Sequence, residues 1–203
     1  MSGSSAPRQR RRGAELEAAL LDAAWNELVD VGFAKLTMES VAARASTGVA
    51  VLYRRWANKD EIVIAALQHY RDTHPTELPD TGSLRGDLTA ILKAMGVTRS
   101  AFFATIVTSA LSGLLDDSGL TPAQARDRIL GSAATERTDM IYRRAEERGE
   151  INLATIPSAV LAMPFDLVRH DLLMTLKPLK PARLRAIIDD IFMPLVESYN
   201  AGR

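Results

Sequence analysis

Apolar residues return along this chain at three- and four-residue intervals, and no stretch alternates apolar and polar positions over the length of a strand. The pattern predicts an all-α protein of about nine helices. A first helix is expected over residues 13–31, where Leu16, Leu20, Ala24, Leu28 and Val31 form one stripe and Gly32 supplies the stop. Met38, Val41, Ala42 and Ala45 then fall at i, i+3, i+4 and i+7, which gives a very short second helix one apolar face. Thr37 is suited to cap it, and Glu39 suits the positive end of its dipole. Ser46, Thr47 and Gly48 break the pattern as turn residues do. A third helix, from Val49 to about Trp56, points Leu52 and Trp56 inward and offers Val49, Ala50, Tyr53 and Arg54 on the other side. It is too short to persist without packing. A fourth begins at Asn58 or Lys59 and carries Ile62, Val63, Ala66, Leu67 and Tyr70 before Pro75.

Beyond the proline- and glycine-bearing linker T-H-P-T-E-L-P-D-T-G-S, five more helices are expected. They cover residues 83–97, 100–115, a long helix from the Thr121-Pro122 start to about Arg148, 156–176 and 182–200. Pro164 and Pro194 fall inside the last two and should bend them. The expected organisation is a disordered basic arm over residues 1–12, a DNA-binding unit over 13–75 and a larger helical unit over 76–203.

Two short helices around a tight turn, followed at once by another helix, is the arrangement of a helix-turn-helix reader of double-stranded DNA. The stretch from Thr37 to Glu61 also resembles the DNA-binding domain of the TetR family of bacterial transcriptional regulators. That resemblance rests on Thr37, Val41-Ala42, Ala45, Leu52-Tyr53, Trp56 and Asn58-Lys59-Asp60 at matching spacing. The chain departs from the pattern at Val49, where the family usually has lysine, and at Thr47, where it has an apolar residue. The resemblance implies a homodimer on a palindromic operator, released by a small-molecule effector. It also implies phosphate contacts from Tyr53 and Lys59. In regulators of this kind the last two helices form a four-helix bundle with a second copy. Phe165, Val168, Leu172, Ile188, Ile191, Phe192 and Leu195 are the residues expected there.

Twenty-five basic and 25 acidic residues leave no formal net charge, which at first argues against a DNA partner. The distribution answers this: Arg8, Arg10, Arg11 and Arg12 form an arm without an acid. Lys35, Arg44, Arg54, Arg55 and Lys59 face only Glu39 within their own stretch. Phosphate binding depends on the field within a Debye length of ~8 Å rather than on the total. The expected DNA-facing set is Arg11, Arg12, Thr37, Thr47, Gly48, Val49, Ala50, Tyr53, Arg54, Arg55 and Lys59. Arg54 and Arg55 are adjacent and diverge by about 100° on a helix, so the two cannot share one direction. Thr47 to Ala50 are the candidates facing bases; Val49 could meet a thymine methyl and the arginine arm could enter a minor groove.

Forty-seven per cent apolar residues suffice for a proper core, and the absence of cysteine excludes disulfides and thiolate chemistry. The three histidines form no metal motif, and neither a phosphate loop nor a nucleophile elbow is present, so no cofactor, metal or enzyme activity is expected. The first residues lack the apolar core of a signal peptide and no run reaches the ~18 apolar residues of a membrane span, so a cytoplasmic location without membrane contact is expected. Tyr70, Met95, Phe102, Phe103, Ile106, Met140 and Tyr142 are candidates to line an effector pocket. The alternative reading is a helical small-molecule binder or enzyme with a vestigial DNA-binding domain.

Overall fold

The structure, a computed structural model, describes residues 13–114, 119–131 and 133–201. The arm at residues 1–12, with Arg11 and Arg12, lies outside the described residues. The chain divides into two compact units at Thr73–His74. Among the described residues there are eleven α-helices and no strand.

The first unit holds α1 (Ala14–Val31), α2 (Met38–Arg44), α3 (Val49–Tyr53) and α4 (Lys59–Thr73). Its core is one apolar stripe per helix: Leu20, Ala24 and Leu28 from α1, Val41 and Ala42 from α2, Leu52 from α3, and Ile62, Val63, Ala66 and Leu67 from α4. Full burial of each leucine or isoleucine contributes about 1.5–3 kcal/mol, which is what holds two helices too short to stand alone. Phe33 and Leu36, in the link between α1 and α2, are buried in the same unit. Trp25 of α1 stacks on Tyr70 of α4, with centroids 4.0 Å apart.

The second unit comprises α5 (Leu84–Lys93), α6 (Ser100–Ser109), α7 (Pro122–Leu130), α8 (Ala133–Glu147), α9 (Ser158–Thr175), α10 (Pro181–Arg185) and α11 (Met193–Ala201). Leu84, Leu88 and Leu92 of α5 join Ile141 and Tyr142 of α8, Val168 and Leu172 of α9 and Phe192 in one core. Asp87 is fully buried yet satisfied: it accepts from the Thr81 amide (2.6 Å) and hydroxyl (2.8 Å) and faces Arg148 at 3.4 Å. Arg148 in turn holds Glu150 at 2.5 Å, and Glu150 accepts from the Leu84 amide at 2.7 Å, so this network ties the start of α5 to the end of α8.

The helix count exceeds the nine expected because two long helices are interrupted. The one expected to run from Pro122 to Arg148 breaks at Gly131, whose φ of 68° no helix can continue and whose amide bonds back to Asp127 at 2.8 Å. The last expected helix is α10, a π-helical turn (Ala186–Phe192) and α11, with Pro194 as the second residue of α11. The third helix ends at Tyr53 rather than near Trp56; past it the Arg55 amide reaches back only three residues, to the Leu52 carbonyl at 2.8 Å, which tightens the last turn.

A second π turn (Ala94–Thr98) follows α5, and a bend of 59° separates that segment from α6. Gly96 lies buried in it, with its carbonyl accepting from the Leu179 amide at 2.8 Å; a Cβ there would meet Val168 Cγ1 at 3.1 Å. A side chain at this position would have to push Val168 aside by a few tenths of an ångström. Pro164 sits inside α9, where its missing amide leaves a carbonyl of the preceding turn without its usual donor. One residue on from that carbonyl, the buried Tyr142 hydroxyl donates to Leu161 O at 2.6 Å.

Candidate nucleic-acid interface

The helix-turn-helix is built from three local devices. At the start of α2, Thr37 Oγ1 accepts from the Ser40 amide (3.0 Å) while Ser40 Oγ accepts from the Thr37 amide (3.1 Å). This reciprocal capping box satisfies two amides that a seven-residue helix would otherwise leave bare. At its end, the Ser46 amide bonds to Ala43 O and the Thr47 amide to Ala42 O, both at 3.0 Å, a Schellman closure with Ser46 in the left-handed region at φ 54°. Gly48 is then the N-cap of α3, extended and without any side-chain cap. At the start of α4, Asn58 Oδ1 accepts from the Glu61 amide, while Glu61 Oε2 accepts from the Ala57 amide one residue earlier, each at 2.9 Å.

Leu52 and Trp56 anchor this segment from below, at 0% and 9% exposure, while Tyr53 is 51% exposed. Tyr53 lines a shallow cleft of about 330 Å³ together with Thr37 and Lys59. Three residues from three elements thus meet around one opening. Lys59 Nζ is held 4.3 Å above the centroid of the Phe33 ring and 3.4 Å from the Phe33 carbonyl; it has no ion-pair partner among the described residues, and Glu39 lines the same cleft. Gly48 and Ala50 are exposed beside it; Thr47 and Val49 are half-buried.

The basic residues of this stretch are not equivalent. Arg44 is engaged by Glu27 and Asp30, each at 2.7 Å, and these hydrogen bonds, Asp30 first, raise its pKa further. Arg55 pairs with Glu17 at 2.7 Å. Arg54 is exposed and has no ion-pair partner among the described residues. The divergence expected for the adjacent arginines is thus resolved, with Arg55 lying along α1. Three α1 carboxylates escaped the sequence reading, because Glu17, Glu27 and Asp30 lie 14 to 38 positions from the arginines they meet. They also correct the picture of local charge: residues 13–73 carry nine acids against six bases, so only the four arginines of the arm turn this unit net positive.

Two family models match the chain. Residues 20–66 fit the family described as bacterial regulatory proteins, tetR family, and residues 78–191 fit the tetracyclin repressor-like C-terminal domain. The chain belongs to the TetR family. It is 30% identical over 185 residues to the DNA-binding transcriptional repressor TetR of Mycobacteroides abscessus, covering 91% of this chain and 96% of that one. An uncharacterized HTH-type transcriptional regulator of Mycobacterium tuberculosis is 29% identical, covering 88% of this chain and 86% of that protein. Among solved structures, a TetR family transcription regulator aligns with a TM-score of 0.65 at 24% identity, over 88% of this chain and 97% of that one. The fatty acid degradation regulator FadR of Bacillus halodurans aligns at 0.54 with 14% identity, over 94% of each chain, a likeness of fold. This TetR-family chain is a DNA-binding transcriptional regulator.

The residues expected in an effector pocket are only partly brought together: Met95, Phe103 and Tyr142 share one apolar cluster, a packed core rather than an opening. Tyr70 belongs to the first unit, where it stacks on Trp25. Met140 is 45% exposed, whereas Phe102 and Tyr142 are buried. Burial pushes the Tyr142 phenol well above its ordinary value. Met95, Phe103 and Ile106 are half-buried, and Phe102 meets Phe103 edge-on at 5.6 Å. A cavity of about 380 Å³ in the second unit is lined instead by Glu146, Gly149, Ile151, Asn152 and Asn200.

Of the residues expected at a two-fold interface, Phe165, Val168, Leu172, Ile188 and Phe192 are buried in the core of their own chain. Ile191 is half-buried and Leu195 is 37% exposed. The apolar residues that α9 and α11 do expose are Leu173, Met174 and Leu195, with Leu176 just past α9. Among the described residues no three His, Asp or Glu side chains are placed to hold a metal, and no single helix is long and apolar enough to cross a membrane.

Proposed function

We propose that the chain acts as a homodimeric, ligand-responsive repressor that binds a palindromic operator through its first unit and works in the cytoplasm without catalytic residues or cofactor. The observation that carries this reading is the meeting of Thr37, Tyr53 and Lys59 around one cleft beside the short helix α3. The repressor named in Mycobacteroides abscessus, similar over nearly its whole length, supports the sign of regulation.

In this reading α3 enters the major groove, whose ~12 Å width admits a helix. Thr37, Tyr53 and Lys59 clamp phosphates on one side, and Arg54 reaches phosphate or a guanine edge. Thr47, Gly48, Val49 and Ala50 approach the bases, and Arg11 and Arg12 follow a minor groove. Exposed Leu173, Met174, Leu176 and Leu195 give the second copy an apolar surface to cover. An effector bound in the second unit acts by favouring a conformer whose two α3 helices no longer match groove faces about 34 Å apart.

Capture of sheared genomic fragments on the full-length protein, followed by sequencing, tests the reading. A palindromic site recovered by the wild type and lost with Tyr53→Ala or Lys59→Ala supports it. Uniform recovery of all fragments overturns operator recognition, and a monomer by sedimentation overturns the dimer.

A further inference from the structure

Arg55 and Arg44 both pair with α1, yet the two contacts differ in kind. Arg44 is gripped through Nε and Nη2 by two carboxylates, and the Glu27 side chain is only 11% exposed. Arg55 makes one contact, through Nη1, to a Glu17 side chain that is 48% exposed. An exposed single-point pair contributes about 0–1 kcal/mol and weakens with salt, so it exchanges partners readily. Glu17 needs no arginine for its own sake, because it lies in the first turn of α1, where a carboxylate already suits the helix dipole.

Position sharpens the contrast. Arg55 is two residues beyond Tyr53, the last residue of α3, and Glu17 is five residues beyond Arg12, the end of the basic arm. Each thus follows closely in sequence on a segment assigned to DNA. Of the cations following the turn, Arg54 has no acid partner among the described residues and Lys59 rests on an aromatic ring, so the charge cancelled by a carboxylate is Arg55's.

We infer that Glu17 is an affinity-limiting residue: in the free protein it occupies the Arg55 guanidinium, and a DNA phosphate must displace it. This rests on the reading of the first unit as the operator-binding unit. Each additional phosphate neutralised steepens the dependence of log K on log salt by about 0.9. Glu17→Gln, nearly isosteric, leaves Arg55 available from the outset.

The test is fluorescence anisotropy of a labelled 30-base-pair random-sequence duplex with the full chain, over salt from about 50 to 300 mM. The expected result is that E17Q binds severalfold tighter at low salt, with the gain fading as salt rises, and that the gain vanishes in R55A/E17Q compared with R55A. Thermal melts establish that all variants fold; Glu17→Ser serves if the glutamine variant does not. Unchanged or weaker binding by folded E17Q overturns the inference, as does a gain that persists without Arg55. Wild type that binds neither this duplex nor any genomic fragment overturns the operator-binding reading itself, a separate outcome.

Discussion

Ser46 holds the left-handed backbone that closes α2, at φ 54°, while Gly48 holds the N-cap of α3 with an extended backbone at φ −82°. Each residue would suit the other's position. Left-handed backbone favours glycine, and an N-cap favours serine, whose hydroxyl can accept from an amide of the first turn. A Cβ at Gly48 would meet nothing within 4 Å, so the fold itself does not ask for glycine there.

Ser46→Gly should therefore stabilise the first unit by up to about 1 kcal/mol, the relief of left-handed strain less the extra freedom of an unfolded glycine. Gly48→Ser should hold or slightly raise stability, yet weaken DNA binding severalfold, because the added side chain stands where the duplex must approach. Thermal melts paired with anisotropy titrations read both. Stabilisation together with undiminished binding by G48S would remove Gly48 from the interface.

Lys59→Ala should reduce the salt slope of DNA binding by about 0.9, the share of one phosphate. The lost contact with the Phe33 ring is expected to take about 0.5–1 kcal/mol of stability. Tyr53→Phe should weaken binding without a stability change, since the side chain is half exposed and its hydroxyl has no hydrogen-bond partner among the described residues. A salt series on both variants separates charge from hydroxyl.

Removing residues 1–12 should lower affinity at physiological salt by far more than any single substitution, because the remaining first unit carries an acidic excess. The salt slope should flatten by up to about 3 to 4 if all four arginines neutralise phosphates. Competition against the full chain on one duplex gives the ratio directly.

Tyr142→Phe should destabilise the second unit by about 1–1.5 kcal/mol, since it removes the hydrogen bond of a buried hydroxyl to a carbonyl in the turn before Pro164. The phenol's pKa is raised by burial, so it stays neutral where the unfolded chain's phenol ionises, near pH 10. The unfolded state then binds fewer protons than the native one, so the stability present below about pH 10 should fall as pH rises above it, with no pH dependence from this group below. Urea titrations of wild type and Y142F between about pH 8 and 11 should converge in that range.

Gly96→Ala should destabilise by about 1–3 kcal/mol, because its methyl would press on Val168 Cγ1 at 3.1 Å. Partial rescue by Val168→Ala, read as a double-mutant cycle, would locate the clash.

Local pattern carried much of this architecture. The stripes of α1, α2 and α4 and the Thr37 cap depend on neighbours within a few residues, and the structure has them where the spacing predicts except at Val31, which is 37% exposed at the end of α1. Gly131 was legible too, as a glycine after Arg128 in a last helical turn, but the run of helix formers on both sides hid it. Other features were not local. Nothing in the sequence near Arg55 announces Glu17, 38 positions away. Likewise, the periodicity of α9 shows that Phe165, Val168 and Leu172 are covered, but it cannot say whether their own chain or a second copy covers them. The structure assigns them to their own core.

The π turn between α10 and α11 has a consequence for comparing relatives. Its wider i→i+5 rings accommodate one residue beyond what a regular helix would hold, and Ala186–Phe192 absorbs that residue locally. Leu184 before it and Val196 after it both remain buried in the same core. A relative that has lost the extra residue can therefore keep every core-facing position on either side. In an alignment such a protein shows a one-residue gap in the middle of an apparently continuous helix, and that gap marks a tightened turn with the packing around it conserved.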